Sequence, residues 1–192
     1  MSANKVGSLK LIIGPMFAGK SQEMVREIER HRIAKKHVLI IRHTSDTRYQ
    51  KQEDDRGMML NSGQLYDKAQ NIWVSTLADA KIQVSLHDVI GISETQFFPD
   101  IEWIDKWAND GKIVICEGLS GNTERMAFGR ILELIPKAEE VIKLKAVCEI
   151  CCADASSTLF RDKKTPAGIK VGGAEAYYPV CRSCYLSETK SQ

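Results

Sequence analysis

The chain reads as an α/β protein: a mostly parallel sheet flanked by helices, with a small zinc-binding lobe at its C-terminal end. Three observations predict this. Short apolar runs at residues 11–13, 38–41, 89–92, 113–116 and 141–144 alternate with helix-like or polar stretches. Strands buried on both faces of a parallel sheet look like this. The first run passes at once into Gly14-Pro15-Met16-Phe17-Ala18-Gly19-Lys20-Ser21, which is G-x-x-x-x-G-K-S, and then into a helical pattern. Four of the six cysteines form two C-x-x-C pairs late in the chain. The expected division is a phosphate-loop NTPase-like domain over residues 1–145 and a zinc-ribbon-like lobe over residues 146–192.

Taken in order, residues 9–13 are the first strand. The glycines that follow let the backbone curl so that successive N–H groups point at phosphate oxygens. The helix opening near Lys20 aims its positive end at the same point. In such a loop Lys20 reaches the β- and γ-phosphates of ATP and the Ser21 hydroxyl sits on Mg²⁺. Met24, Val25, Ile28 and Ile33 then recur at helical spacing over residues 21–35. Residues 38–41 make the second buried strand.

Residues 42–63 are polar and carry both charge signs, which reads as a surface loop. Asp46-Thr47-Arg48-Tyr49 lies inside it. On residue type it is an exposed turn. Yet loops leaving the C-terminal ends of parallel strands are where open α/β sheets keep their ligands. A short strand is expected at residues 72–74, and residues 77–86 are helical or irregular. Residues 89–92 form a strand ending in Ser93-Glu94, and Glu94 there stands near a transferred phosphate, able to accept a proton from an attacking hydroxyl.

Residues 97–109 are amphipathic, with Phe98, Ile101, Ile104, Trp107 and Ala108 on one side and Gly111 as the stop. Residues 113–116 form a further strand, and a loop with Arg125 covers 117–129. Glu117 begins that loop at the end of the neighbouring strand. A short helix over 131–135 precedes Pro136, and residues 141–144 close the sheet.

Cys148, Cys151, Cys181 and Cys184 are spaced as two zinc knuckles. Buried free thiols and a redox pair are the competing readings, and no thioredoxin-like context supports the latter. A site using four thiolates leaves no open position on the metal, so it is structural. Cys152 is a bystander and Cys116 belongs to the core.

Composition bounds the rest. With 43% hydrophobic residues among 192, the chain can bury a real core. Lys and Arg number 27 against 25 acidic residues, a net charge of +2, which gives no basic surface for nucleic acid or membrane. No apolar run approaches the roughly 20 residues a membrane span needs, and MSANKVGSLK lacks the apolar core of a signal peptide. A cytoplasmic protein is expected.

The order GPMFAGKS, DTRY, VIGISETQFFPDI and the cysteine pairs around VGGAEAYYPVC resembles the type II thymidine kinases, the cytosolic human-like class. The resemblance runs from about Ser8 to Tyr185. It implies transfer of the ATP γ-phosphate to the 5′-hydroxyl of thymidine or deoxyuridine, with Mg²⁺. It implies Glu94 as catalytic base. Asp46 and Arg48 match the element that closes over the reacting phosphate. Met16, Phe97, Leu119, Phe128, Thr158, Ile169, Val171, Gly172 and Tyr177 fall on the thymidine pocket and on the lasso of about 158–177 that folds over the nucleoside. It further implies a dimeric or tetrameric homo-oligomer and feedback by thymidine triphosphate. Two departures stand out. Ser93 replaces the usual aspartate, so Ser93→Asp is expected to ease the Mg²⁺ requirement and raise kcat; if it leaves the Mg²⁺ dependence unchanged, Glu117 at the end of the neighbouring strand is the candidate to have taken over the role. Leu119-Ser120-Gly121-Asn122-Thr123 replaces Leu-Asp-Gly-x-Phe. The alternative these departures raise is a degenerate domain that binds nucleoside or nucleotide with little transfer.

Overall fold

The computed structural model describes residues 6–46, 58–59, 65–66, 69–162 and 172–190. The chain opens with β1 (Ser8–Gly14), the phosphate loop, α1 (Lys20–Ile33) and β2 (Val38–His43). A two-residue antiparallel ladder follows, β3 (Met58–Met59) with β4 (Leu65–Tyr66). Then come β5 (Gln70–Val74), a 3₁₀ turn with α2 (Lys81–Ser85), β6 (Val89–Ile92), α3 (Glu102–Asn109), β7 (Ile113–Leu119), a second 3₁₀ segment (Ile131–Lys137) and β8 (Glu140–Lys143). Six of these strands make one sheet in the order β5-β2-β6-β7-β1-β8, and each of its ladders is parallel. The α/β reading of the sequence is met.

The apolar runs are continuous because alternate residues feed two cores. Leu11, Ile13, Leu39, Ile41, Ile90, Ile92, Val114 and Cys116 pack on one face with Phe98, Ile104 and Trp107. Ile12, Ile40, Val89 and Ile115 pack on the other face with Met24 and Ile28 of α1. Gly91 is what lets α1 sit so close. A Cβ there would lie 2.6 Å from Ile28 Cδ1.

Four readings differ from expectation: the short helix of 131–135 is a 3₁₀ segment that runs through Pro136 to Lys137, β3 falls within the stretch read as a surface loop, and two boundaries move. The helix expected over 97–109 is broken: Thr95–Phe97 is a 3₁₀ turn, Phe98 is extended and α3 begins at Glu102. Pro99 explains this, because a proline pushes the residue before it out of the helical region. Phe98, Ile101, Ile104 and Trp107 still reach the core as the pattern requires. β7 runs three residues past Cys116, pairing Ile12 with Glu117 and Gly14 with Leu119. A charged residue ended the apolar run in the sequence, but β1 beside it keeps supplying backbone partners.

After β8 the ladders become short and antiparallel. β9 (Ala146–Val147) pairs with β10 (Asp154–Ala155), and β11 (Ser157–Phe160) pairs with β12 (Tyr177–Val180), which leads into α4 (Arg182–Lys190). Their small core of Ala146, Cys148, Ala155 and Val180 also takes in Phe17 and Ala18 of the phosphate loop.

Candidate active site and metal centre

The C-terminal ends of β1, β6 and β7 lie side by side in the sheet, and the polar residues of interest leave from these ends. Gly14 to Gly19 turn from β1 into α1. Phe17 at φ 64° and Gly19 at φ 78° take left-handed backbone conformations. Glycine accepts this freely and phenylalanine does not, so Phe17 stores strain in the loop. Lys20 is buried, and its Nζ donates to the Pro15 carbonyl at 2.8 Å. The Met16 N–H donates to Thr158 Oγ1 at 3.1 Å, which fastens the loop to β11.

Behind the loop sits Glu117, with 0% of its surface exposed. Its Oε1 accepts from Ser93 Oγ at 2.7 Å, from Ser21 Oγ at 3.2 Å and from the Glu94 N–H at 3.2 Å. Its Oε2 has no hydrogen-bond partner among the described residues. Burial pushes this carboxyl above the usual range and the neighbouring Glu94 charge pushes the same way, while Lys20 and the hydrogen bonds oppose them. Strand alternation puts Glu117 on the α1 face, two residues beyond Ile115, which is how it reaches Ser21 at the start of that helix.

Glu94 follows β6 and also has left-handed backbone, φ 52°. Its Oε2 accepts from Gln96 Nε2 at 2.5 Å, and Gln96 Oε1 in turn accepts from the Leu119 N–H at 3.0 Å. Gln96 thereby ties Glu94 to β7. Sequence reasoning gave Gln96 no role. The signal was there: a carboxamide two residues past an acid, with Phe98-Pro99 next, has to stay in a tight turn that folds back on Glu94.

The other sequence-predicted residues fall into smaller groups. Phe97 and Phe128 meet edge to face at 5.7 Å, and His43 from the end of β2 joins Phe97 at 5.8 Å. Leu119 pairs with Gly14 across the sheet. Tyr177 stacks on Phe160 at 4.8 Å across the β11–β12 ladder, and Gly172 lies half-buried beside it. Asp46 is buried just past β2, with Arg42 Nη2 3.5 Å away and that guanidinium over the Trp73 ring. A cavity of about 430 Å³ opens beside Pro15, lined among others by Ser120, Asn122, Arg125, Lys143, Thr158 and Arg182. Phe97, Phe128 and Tyr177 are not in its wall. Arg48, Ile169 and Val171 lie outside the described residues.

The four paired cysteines converge. The sulfur atoms of Cys148, Cys151, Cys181 and Cys184 all lie within 4.8 Å of one another, a group that could hold a metal ion such as zinc. Burial raises the Cys148 thiol, but backbone N–H groups of Cys181, Cys151 and Ile150 outweigh it and bring it to about 6. The Cys184 thiol is pushed up to about 12, first by Cys151 and then by Cys181. Sulfurs crowded this way repel as thiolates, and a cation among them removes the conflict. Cys152 is exposed and outside the cluster, while Cys116 is buried in the sheet with its thiol pushed up by burial.

The family model described as thymidine kinase matches residues 7–185. The chain belongs to the thymidine kinase family. It is 42% identical over 184 residues to the thymidine kinase of Yaba monkey tumor virus, covering 95% of this chain and 97% of that one. It is 40% identical over 190 residues to the cytosolic thymidine kinase of Gallus gallus, covering 97% and 80%. Thymidine kinase 1 of Dictyostelium discoideum is 39% identical over 183 residues, with 95% and 79% covered. Membership of the thymidine kinase family makes the chain an ATP-dependent phosphotransferase. Among the described residues no helix is long and apolar enough to cross a membrane.

Proposed function

We infer that this chain transfers the γ-phosphate of ATP to the 5′-hydroxyl of thymidine or deoxyuridine, giving the 5′-monophosphate and ADP. The observation that carries the reading is that Lys20 and Ser21 after β1 and Glu94 after β6 flank the end of β7, where Ser21 and the Glu94 N–H both donate to Glu117, in a chain of the thymidine kinase family. Phe17, Ala18 and Gly19 present backbone N–H groups to the phosphates, and Lys20 leaves its Pro15 carbonyl for the phosphate oxygens. Ser21 offers a hard oxygen to the Mg²⁺ that accompanies ATP, which is the donor that ion prefers. Held there with the nucleotide, such an ion would supply positive charge against the charge that builds on the transferred group. Glu94, in left-handed backbone after β6 and held by Gln96, takes the proton of the attacking hydroxyl. Asp46, and Arg48 outside the described residues, close over the reacting phosphate.

The nucleoside is read by Met16, Phe97, Leu119, Phe128, Thr158 and Tyr177, with Ile169, Val171 and Gly172 on the covering loop. The edge-to-face pair of Phe97 and Phe128 supports this, since such rings offer a base a flat apolar wall. Residues 1–145 act as the nucleotide-binding unit and residues 146–192 as a lobe held by one structural Zn²⁺ on Cys148, Cys151, Cys181 and Cys184. Cytoplasmic location, assembly into a dimer or tetramer and feedback by thymidine triphosphate complete the reading. A binding-only domain is not favoured, because the loop lysine, its serine and Glu94 are all in place.

The test is a phosphoryl-transfer assay with thymidine and Mg-ATP, following the nucleoside monophosphate by chromatography. Stoichiometric thymidine monophosphate and ADP are expected. Tight thymidine binding by calorimetry without product would sink the kinase reading and leave the degenerate one.

A further inference from the structure

Glu117 is the carboxylate the mechanism above does not use. It lies inside a central strand with no exposed surface. A buried carboxylate is costly unless donors or a cation satisfy it. Three donors crowd on its Oε1, while Oε2 accepts from none of the described residues. The half-satisfied group touches Ser21, the hydroxyl expected on the nucleotide's Mg²⁺. Mg²⁺ bound with a nucleotide typically uses one or two protein carboxylates besides phosphates and water. Ser93, at the adjacent strand end, is a neutral hydroxyl that spends its proton on Glu117. Glu94 is turned to Gln96.

We propose that Glu117 supplies the protein carboxylate to the coordination shell of the nucleotide-bound Mg²⁺, and that Ser93 is its positioning residue. The proposal rests on reading the phosphate loop as a Mg-ATP site. It reverses the expectation for Ser93→Asp. A second carboxylate would stand where a donor now lies 2.7 Å from Glu117 Oε1, in a buried site, and two like charges there repel. Ser93→Asp should weaken metal binding in the native background and partly restore it when combined with Glu117→Gln.

The experiment uses Mn²⁺ as probe with ADP and the full chain. Free Mn²⁺ is followed by electron paramagnetic resonance as protein is added. Glu117→Gln should lower Mn²⁺ affinity of the protein–ADP complex by about 10- to 100-fold, leaving ADP binding without divalent metal unchanged or tighter. Glu117→Asp, which keeps the charge one methylene further back, should fall between. Melting curves report folding of each variant, and the aspartate variant carries the test if the glutamine variant does not fold. Native-like Mn²⁺ affinity in a folded Glu117→Gln, or equal affinities in the aspartate and glutamine variants, overturns the proposal. If the native protein holds Mn-ADP no better than it holds ADP alone, the Mg-ATP reading itself fails.

Discussion

The parallel sheet and the region after residue 145 meet at the phosphate loop, and they are built in opposite ways. The sheet buries apolar side chains on both faces, and its strand ends hold the polar groups at fixed spacing. Among the described residues, the later region has two-stranded ladders, a core cluster of four buried residues of which one is Cys148, and a terminal helix with no buried residue. So little apolar burial does not hold a fold by itself, and in small domains a metal commonly makes up the deficit. The sheet is the part that can place Glu94 and Glu117 to within a hydrogen bond. The cysteine region is the part whose shape the proposed metal on its sulfurs would set. Phe17, Ala18 and Met16 belong to both, so the loop inherits its geometry from two sources.

Removing the proposed Zn²⁺ should have the largest effect. Structural Zn²⁺ contributes on the order of 10–16 kcal/mol in zinc-finger peptides, far more than this small core supplies. Cys181→Ala should therefore bring metal content by elemental analysis well below one per chain. Amide exchange should speed up through β9 to β12 and at Met16 to Ala18, with KM raised. β2, β6 and β7 should stay protected. Loss of protection in the central strands as well would mean that the two regions form one cooperative unit.

Glu94→Gln is the counterpart in the sheet. It keeps shape, removes the charge and should lower kcat by about 10² to 10⁴ with nucleoside binding and metal content unchanged. A glutamine variant with native kcat would move the proton acceptor elsewhere.

Ile28→Ala tests the sheet's own stabilisation. Ile28 of α1 is fully buried against Gly91 of β6, and such truncations cost about 2–5 kcal/mol. Urea unfolding should show that loss with the cysteine metal retained. An unchanged midpoint would show that the α1 face contributes less than its packing implies.

The same contrast decides what the sequence could show. Continuous apolar runs are a tertiary signal written locally, so all six strands of the sheet, the short one at 72–74 included, and the phosphate loop were legible from β1 to β8. The cysteine spacing was legible because metal geometry fixes it. Glu117 was read as the start of a loop and as the fallback carboxylate for Mg²⁺ at that strand end, but its place inside β7 was not, because a charge ends an apolar run unless the neighbouring strand is known to continue. Its contacts with Ser21 and Ser93 come from residues 96 and 24 positions away, which no local pattern encodes. The break at Phe98 was readable from Pro99. Fastening of the loop by Thr158 was not, because that hydrogen bond spans 142 residues.

That bond carries the smallest and most discriminating prediction. Met16 and Thr158 are both buried, and the Thr158 hydroxyl accepts the Met16 N–H from across the boundary between the two regions. Thr158→Val keeps the volume and removes the acceptor, leaving a buried N–H unpaired. A net hydrogen bond contributes about 1 kcal/mol, so the loop should lose roughly fivefold in ATP affinity. The sheet should keep its unfolding midpoint and the cysteines their metal, because neither depends on this contact. Thr158→Ser restores the hydroxyl and should recover most of the affinity. If the valine variant binds ATP as the native chain does, the phosphate loop is shaped by the sheet alone, and the cysteine region only covers it.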